Sequence, residues 1–151
     1  MDYEIDSMDR KILKFMQKDS RMPFLEMARE LKVSGGTIHA RVKKMKGMGV
    51  LEGSKVVINH HALGYKLSAF VGIQLTDGAS SEAVGASLER IPDVLEVHYT
   101  TGGFGLFTKI LVRETSELYE ILAHKIQKIR GVGSTQTLIV LNTLFSRDMQ
   151  F

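Results

Sequence analysis

The sequence contains no cysteine and no tryptophan, and only two of its 151 residues are proline. Without cysteine, disulfide bonds and thiolate metal sites are excluded. The five histidines lack the helical His-x-x-x-His spacing of a metal site, and the adjacent His60 and His61 would point to opposite faces of a strand. We therefore expect neither a metal nor a cofactor.

Long apolar runs are absent as well, and none is long enough to cross a bilayer. The N-terminus, Met1-Asp2-Tyr3-Glu4, is acidic, whereas a signal peptide would be basic and then apolar. A hydrophobic content of 44% with 25% charged residues is that of a soluble globular protein. The sequence therefore predicts a cytoplasmic protein without a membrane partner.

The net charge of +3 is unevenly distributed along the chain. Residues 1–63 contain 12 Lys or Arg and 8 Asp or Glu, whereas residues 64–151 contain 8 and 9. A basic first part and a nearly neutral second part indicate two modules with different roles. The predicted domains are a helix-turn-helix domain at 1–52, a linker strand at 53–65 and a second domain at 66–151.

Residues 33–50 carry the most informative pattern, V-S-G-G-T-I-H-A-R-V-K-K-M-K-G-M-G-V. Ser34 is a favourable helix N-cap, and Ile38, Val42 and Met45 then form one apolar stripe at helical spacing. The opposite face is small and basic, which suits a helix that enters the DNA major groove, although solvated helices also have basic faces. The residues predicted to contact DNA are Ser34, Gly36, Thr37, His39, Ala40, Lys43, Lys44 and Lys46.

Two shorter helices are predicted before this one. The first begins near Asp6 or Ser7, and the second covers Phe24–Lys32. Two short helices, a tight turn and a basic third helix are typical of a helix-turn-helix. The predicted buried residues are Met8, Ile12, Leu13 and Met16 in the first helix, and Phe24 or Leu25 with Ala28 and Leu31 in the second.

The surroundings of the third helix give two further predictions. Val50–Leu51 and Lys55–Ile58 are β-prone and are expected to form wing or linker strands. Arg41 lies beside the apolar stripe, so its guanidinium is expected to pair with an acidic side chain. The candidate partners are Asp9, Glu26 and Glu30.

Several of these segments resemble one family. They are Asp9-Arg10, Ile12-Leu13, Met27-Ala28, Val33 to Ile38, Arg41-Val42-Lys43 and Gly49-Val50-Leu51. Together they resemble the N-terminal domain of the Lrp/AsnC transcription regulators, and the similarity continues through Leu63-Gly64-Tyr65 to the end of the chain. Gly36 to His39 and Thr137 to Leu141 look most like the AsnC branch. Gly35 departs from the family, which usually has proline there, and glycine would loosen the first helical turn.

The second module has the element order β-α-β-β-α-β, which is typical of a ferredoxin-like fold. Leu67–Leu75 has apolar residues at period two, as a half-buried strand does. The other predicted elements are a helix from Ser80 or Ser81 to Ile91, strands at Val94–Thr101 and Phe104–Val112, a helix at Ser116–Ile129 and a strand at Ser134–Leu144. The predicted fold class is α+β, a winged helix-turn-helix domain followed by a ferredoxin-like βαββαβ domain.

A sheet of this kind has helices on one face only, so its apolar opposite face needs a cover. A homodimer of two packed sheets is the simplest cover, and the resemblance implies the same arrangement with further assembly to tetramers or octamers. A twofold axis would also place two recognition helices on the two halves of an inverted repeat in double-stranded DNA.

A glycine-rich hairpin is the first candidate for small-molecule binding. The family places a Gly-x-x-Asp segment here, which holds an effector amino acid between neighbouring dimers, and Gly105 stands where the aspartate would be. Amide and hydroxyl groups near the last strand could complete a pocket, although an ordinary hairpin and an exposed strand edge explain the same residues. The predicted ligand-binding residues are Tyr99, Thr101, Gly102, Gly103, Phe104, Gly105, Gln127, Thr135 and Gln136. On the resemblance alone, asparagine is the first candidate effector.

The resemblance implies a sequence-specific DNA-binding transcriptional regulator that responds to a small amino acid, and no catalytic set of residues points to an enzyme. Two alternatives stay open. One is a sirohaem-decarboxylase-like enzyme with the same two domains, in which His98 would be of interest. The other is an effector-binding oligomer whose helical domain is vestigial. The lysines of the third helix favour the regulator, since a chain that no longer bound DNA would have no reason to keep them.

Overall fold

The computed structural model describes residues 4–150, which form two compact units. The first unit comprises the chain up to Val57 together with the segment from Ser146, and the second runs from Ile58 to Phe145. Residues 66–151 were all expected in the second domain, whereas the segment from Ser146 lies with the first unit. There the Gln17 side-chain amide donates to the carbonyl of Met149 at 3.2 Å.

Three helices build the first unit: α1 at Ser7–Lys18, α2 at Phe24–Leu31 and α3 at Gly35–Gly47. Asp6 starts α1 through a capping box, in which its carboxylate accepts from the backbone N–H of Asp9 and the Asp9 carboxylate accepts from that of Asp6. Three helices with these boundaries confirm the predicted helix-turn-helix.

The core of the first unit lies where the three helices meet. The predicted stripe of α3 is buried, since Ile38 and Met45 are 0% and Val42 is 3% exposed. In α2, Met27 is buried and Leu25 is 66% exposed, because the inward face follows the spacing i, i+3, i+4, i+7 from Phe24. The remaining buried apolar members are Ile12, Leu13 and Ala28.

The predicted wing and linker strands are not formed. Residues 51–59 have no regular secondary structure, and the backbone N–H groups of Val50 and Leu51 bond instead to the carbonyl of Met45, at 2.9 and 3.2 Å. The side chains of Val56 and Val57 are 75% and 92% exposed. A β-prone segment becomes a strand only when another strand pairs with it, and no part of residues 4–150 pairs with this one.

The second unit has the predicted βαββαβ order. Its elements are β1 at Leu67–Leu75, α4 at Ser81–Glu89, β2 at Val94–Tyr99, β3 at Leu106–Val112, α5 at Thr115–Glu120 and β4 at Val132–Ile139. The sheet order is β2-β3-β1-β4, and every neighbouring pair is antiparallel. A short 3₁₀ turn, His60–Leu63, precedes β1.

Two elements differ from their predicted extents by more than two residues. The helix expected to run continuously over 116–129 is α-helical only in α5, widens to a π-helical turn at Ile121–Lys125 and tightens to a 3₁₀ turn at Ile126–Lys128. The last strand ends at Ile139 rather than Leu144; its last paired residue, Ile139, lies opposite Ala69 of β1, and one further bond follows, from the N–H of Val140 to the carbonyl of Ser68 at 2.9 Å.

The two faces of the sheet are chemically different. Alternate residues of β1 and β3, such as Val71 and Ile110, pack with α4 and α5 in one apolar core. The intervening residues, such as Phe70 and Phe107, lie on the opposite face, which we call the open face because no helix of residues 58–145 packs on it. The Phe70 and Phe107 rings are stacked there, with centroids 5.6 Å apart.

Candidate DNA interface and effector site

The N-terminal end of α3 has a serine cap and no acidic side chain. The Ser34 hydroxyl caps the helix by accepting from the backbone N–H of Thr37 at 3.1 Å, and the two hydroxyl oxygens lie 2.9 Å apart. The first turn contains no acidic residue. The positive end of the helix dipole is therefore not neutralised by the first turn's own side chains.

The outer face of α3 has the small and basic character that the sequence predicted. Gly36 and Ala40 are exposed, and Lys43 and Lys46 are exposed without a salt bridge to any of residues 4–150. The other predicted contact residues, Ser34, Thr37, His39 and Lys44, are exposed or half-buried on the same helix. Small side chains between cations allow a close approach to a polyanion.

His39 is also held by an aromatic contact. Its ring meets Phe24 of α2 edge to face, with the ring centroids 6.1 Å apart. The contact joins α2 to the flank of α3 and leaves the imidazole exposed. His39 thus lies at the border of the outer face of α3.

Arg41 fastens α3 to the start of α1. One guanidinium nitrogen lies 2.6 Å from an Asp6 carboxylate oxygen and 2.9 Å from one of Asp9. The predicted pairing with Asp9 is confirmed, whereas Asp6 was recognised from the sequence only as a helix cap. The Asp9 side chain is 1% exposed, so Arg41 neutralises a buried carboxylate that also caps α1.

The Asp6–Arg41 contact should make the stability of the first unit depend on pH in the acidic range. The hydrogen bond from Arg41, followed by the backbone N–H of Asp9, lowers the pKa of Asp6 from 3.8 to about 2. A lowered pKa means that the contact stabilises the fold fully above about pH 4 and that its contribution is lost as the pH falls towards 2. Thermal melting from pH 7 to pH 2 checks this, with Asp6→Asn, which can still cap α1 but does not titrate, as the control. We expect the wild-type advantage to shrink below pH 4, and an advantage that stays constant to pH 2 would contradict it.

The predicted effector hairpin is a six-residue loop, 100–105, rather than a tight turn. Gly102 has φ +101°, a conformation that side-chain-bearing residues rarely adopt. The Thr100 hydroxyl, which the sequence analysis did not select, donates to the carbonyl of Phe104 at 2.8 Å and closes the loop. The N–H of Gly105 bonds to the carbonyl of Ile73 in β1 at 3.0 Å, so the loop is anchored to the sheet.

Phe104 folds back from this loop over the open face of the sheet. Its ring covers Gly72 of β1 so closely that a Cβ on that glycine would lie 2.7 Å from three ring atoms. The ring also lies 6.3 Å from that of Phe107, centroid to centroid. Phe104 therefore continues the aromatic row of the open face up to the loop.

Gln74 links the loop to β4. Its side-chain amide donates to the carbonyl of Gly103 at 3.3 Å, and its oxygen accepts from the Ser134 hydroxyl at 2.6 Å. The sequence analysis missed Gln74, although its place in the alternation of β1 marks it as an open-face residue. Gln136 is paired with Gly72 and lies on the same face.

The sheet separates the predicted ligand-binding residues, which were expected to lie together. Thr135 is paired with the buried Ile73, so its side chain lies on the helix-covered side, where the Gln127 amide donates to its hydroxyl at 3.2 Å. The cause is strand alternation, which sends Thr135 and the adjacent Gln136 to opposite faces.

Tyr99 also lies apart from the open-face group. It is paired with the buried Leu106, is 77% exposed and lines a groove of about 510 Å³ between β2 and α4. Within one protomer, the open-face cluster therefore consists of loop 100–105 with Gln74, Ser134 and Gln136.

Gly105 lies where there is little room for a side chain. A Cβ on Gly105 would lie 3.1 Å from two carbon atoms of Leu75, so a larger side chain requires Leu75 to shift. The loop offers backbone groups and hydroxyls at this point, among them the Thr100 hydroxyl that donates to the carbonyl of Phe104.

Comparison with known proteins decides the family. The family model described as the Lrp/AsnC ligand binding domain matches residues 68–149, and the AsnC-type helix-turn-helix domain matches residues 5–46. The chain belongs to the Lrp/AsnC family. It is 43% identical to the regulatory protein AsnC of Haemophilus influenzae, over 98% of this chain and 99% of that protein. It is 38% identical to the regulatory protein AsnC of Escherichia coli strain K12, over 98% and 97% of the two chains.

This Lrp/AsnC chain is similar to the solved structure of E. coli AsnC, with a TM-score of 0.94 and 37% sequence identity. The similarity covers 98% of this chain and 99% of the AsnC chain. These similarities confirm the predicted α+β class, a helix-turn-helix domain followed by a ferredoxin-like domain, although without the wing strands, and they confirm the predicted function. The Lrp/AsnC protein is a DNA-binding transcriptional regulator with an amino-acid-responsive ligand domain, and its relatives are regulators rather than enzymes.

His98, the residue of interest for the decarboxylase alternative, contacts an acidic side chain on the surface of the Lrp/AsnC ligand domain. Its ring lies 3.2 Å from the carboxylate of Glu96, which Lys109 also approaches at 3.4 Å. Both contacts lower the pKa of Glu96, and the hydrogen bond with His98 has the larger effect. Among residues 4–150 no cluster of three potential metal ligands occurs, and no helix in that range has the length and apolarity to span a membrane.

Proposed function

We propose that this Lrp/AsnC regulator inserts α3 into the DNA major groove as a homodimer and that asparagine modulates its binding. The outer face of α3 is the observation that carries the proposal for DNA. Two exposed cations, Lys43 and Lys46, and an N-terminal turn without acidic residues are suited to bind phosphate groups. The small residues Gly36 and Ala40 allow the helix to approach the DNA closely. Thr37 and His39 lie where a recognition helix reads base edges. The site of action is the cytoplasm, where such a regulator meets its DNA.

For the effector, the proposal centres on the open-face cluster. Backbone N–H groups of the glycine-rich loop are suited to hold an α-carboxylate, and the amide of Gln136 can donate to and accept from the side-chain amide of asparagine. Tyr99, Gln127 and Thr135 lie on the other side of the sheet, so they reach the same ligand only if a neighbouring protomer supplies them. The identity to AsnC regulators supports asparagine as the first candidate.

Asparagine binding should be weak. With Gly105 in the loop, carbonyl and hydroxyl groups replace the carboxylate that would pair with the ligand's ammonium group. A hydrogen bond to a charged group contributes about 1.5–3 kcal/mol, so we expect a dissociation constant in the upper micromolar range or above. Calorimetric titration with each of the twenty amino acids tests the choice. A higher affinity for another amino acid would contradict the choice of asparagine and identify that amino acid as the effector.

Gly102→Val should abolish effector binding while the protein stays folded. The substitution strains the loop at φ +101° and places a branched side chain where the ligand approaches. Gly64→Val is a matched control, because Gly64 has φ +90°, is equally open and precedes β1 at the other end of the sheet. Calorimetry should detect asparagine binding to the Gly64 variant and none to the Gly102 variant. Equal binding to both would place the pocket elsewhere.

The open face should hold two protomers together. Sedimentation of the wild type at micromolar concentration is expected to show a dimer or a larger assembly. Leu138→Glu, which puts a charge on the open face, should shift the protein towards the monomer. Leu95→Glu is the control, since Leu95 is 48% and Leu138 49% exposed but Leu95 lines the groove beside α4. A monomeric wild type, or equal dissociation of both variants, would contradict this arrangement.

A further inference from the structure

An exposed leucine lies beside the N-terminal end of α3. Among residues 7–47, Leu25 is the only exposed large apolar side chain, at 66% exposure. It belongs to the first turn of α2, and its Cδ2 atom lies 2.9 Å from the position that a Cβ on Gly35 would occupy. Leu25 therefore fills the space that the missing side chain of Gly35 leaves above the first turn of α3.

In the proposed insertion of α3 into the major groove, on which this inference rests, the first turn of α3 and the Leu25 side chain beside it lie at the end that approaches the bases. In a helix-turn-helix, the N-terminal residues of the recognition helix contact base edges, and the preceding helix crosses the backbone. The Phe24–His39 contact fixes the start of α2 against the flank of α3 at the same end. Leu25 thus lies against Gly35, which directly precedes Gly36 and Thr37 in the first turn of α3.

The major groove offers one apolar group that matches such a side chain, the C5-methyl group of thymine. We propose that Leu25 contacts the C5-methyl group of one thymine in each half-site and is a specificity-determining residue outside the recognition helix. The glycine at position 35 favours the contact, because a Cβ there would require the end of the Leu25 side chain to shift from its present position.

Replacing single thymines by uracil in a selected duplex tests the contact, because uracil lacks only the methyl group. Wild-type protein should lose about fourfold in affinity at one thymine per half-site, the value of one buried methyl group. Leu25→Ala should bind the unmodified duplex more weakly and show no further weakening with uracil at that thymine. Leu25→Met, which keeps an apolar side chain, should retain the uracil effect.

Leu63→Ala is the matched control, because Leu63 is 60% exposed in the other unit, and its DNA binding should equal that of the wild type. Melting curves should show that Leu25→Ala remains folded, as expected for an exposed side chain. The proposal is overturned if no thymine shows a uracil effect in the wild type, or if Leu25→Ala binds as the wild type does. It is equally overturned if Leu25→Ala retains the same uracil effect.

Discussion

Arg41→Ala should destabilise the first unit by about 2 kcal/mol, the cost of leaving a buried charged acceptor without its strongest partner. The cost arises at Asp9, whose side chain is 1% exposed and would no longer have its ion pair at 2.9 Å. Because the same guanidinium joins α3 to the start of α1, its removal should also misplace the recognition helix. We therefore expect DNA affinity to fall together with stability.

Denaturant unfolding and DNA titration of the same variant check this expectation. Arg41→Lys should be intermediate, since lysine keeps the positive charge but its side chain is one atom shorter than the path to the guanidinium nitrogen that contacts both carboxylates. Arg29→Ala is the control, because Arg29 is exposed on α2 and has no salt bridge within residues 4–150. Its unfolding free energy should change by less than about 0.5 kcal/mol. Wild-type stability of Arg41→Ala would contradict the role assigned to Arg41.

The double variant Lys43→Ala, Lys44→Ala should weaken DNA binding by at least about tenfold and flatten its salt dependence. Removing one phosphate contact should reduce the slope of log affinity against log salt by about one per recognition helix. Lys43 is exposed on the outer face of α3, and the decrease in affinity should be similar for selected and unrelated duplexes if both lysines contact phosphate.

A matched control removes the same charge elsewhere. Lys66 and Lys128 lie in the second unit, so Lys66→Ala, Lys128→Ala changes the net charge equally without touching α3. Fluorescence anisotropy over a range of KCl concentrations should show a nearly wild-type slope for this control. Equal slopes for the wild type and the Lys43, Lys44 variant would contradict the placement of α3 in the major groove.

Features that depend on local sequence were predictable. The stripe of Ile38, Val42 and Met45 has the spacing of one helix face, and all three side chains are buried. The Ser34 cap and the βαββαβ order likewise follow from residue types and spacing. Arg41 was predictable in part, since its place beside the stripe requires an acid but does not say which helix supplies it.

Features that depend on pairing between distant segments were not predictable. The β-prone segment Lys55–Ile58 forms no strand because no strand among residues 4–150 pairs with it, a fact that lies outside its own sequence. Gln127 and Gln136 are alike in chemistry, but the register of β4 against β1 puts Gln136 on the open face while Gln127 bonds to Thr135 on the other. Gln74 lies 29 positions along the chain from the Gly103 carbonyl that it contacts, and only the fold brings them together.

The most direct test of the account is the affinity of the wild-type protein for a selected duplex and for a shuffled duplex of the same composition, measured over increasing KCl with and without asparagine. We expect both affinities to fall steeply with salt, the selected duplex to bind at least about a thousandfold more tightly, and asparagine to change only the binding of the regulator to its selected site. Equal affinities for the two duplexes, or affinities that do not change with salt, would contradict it.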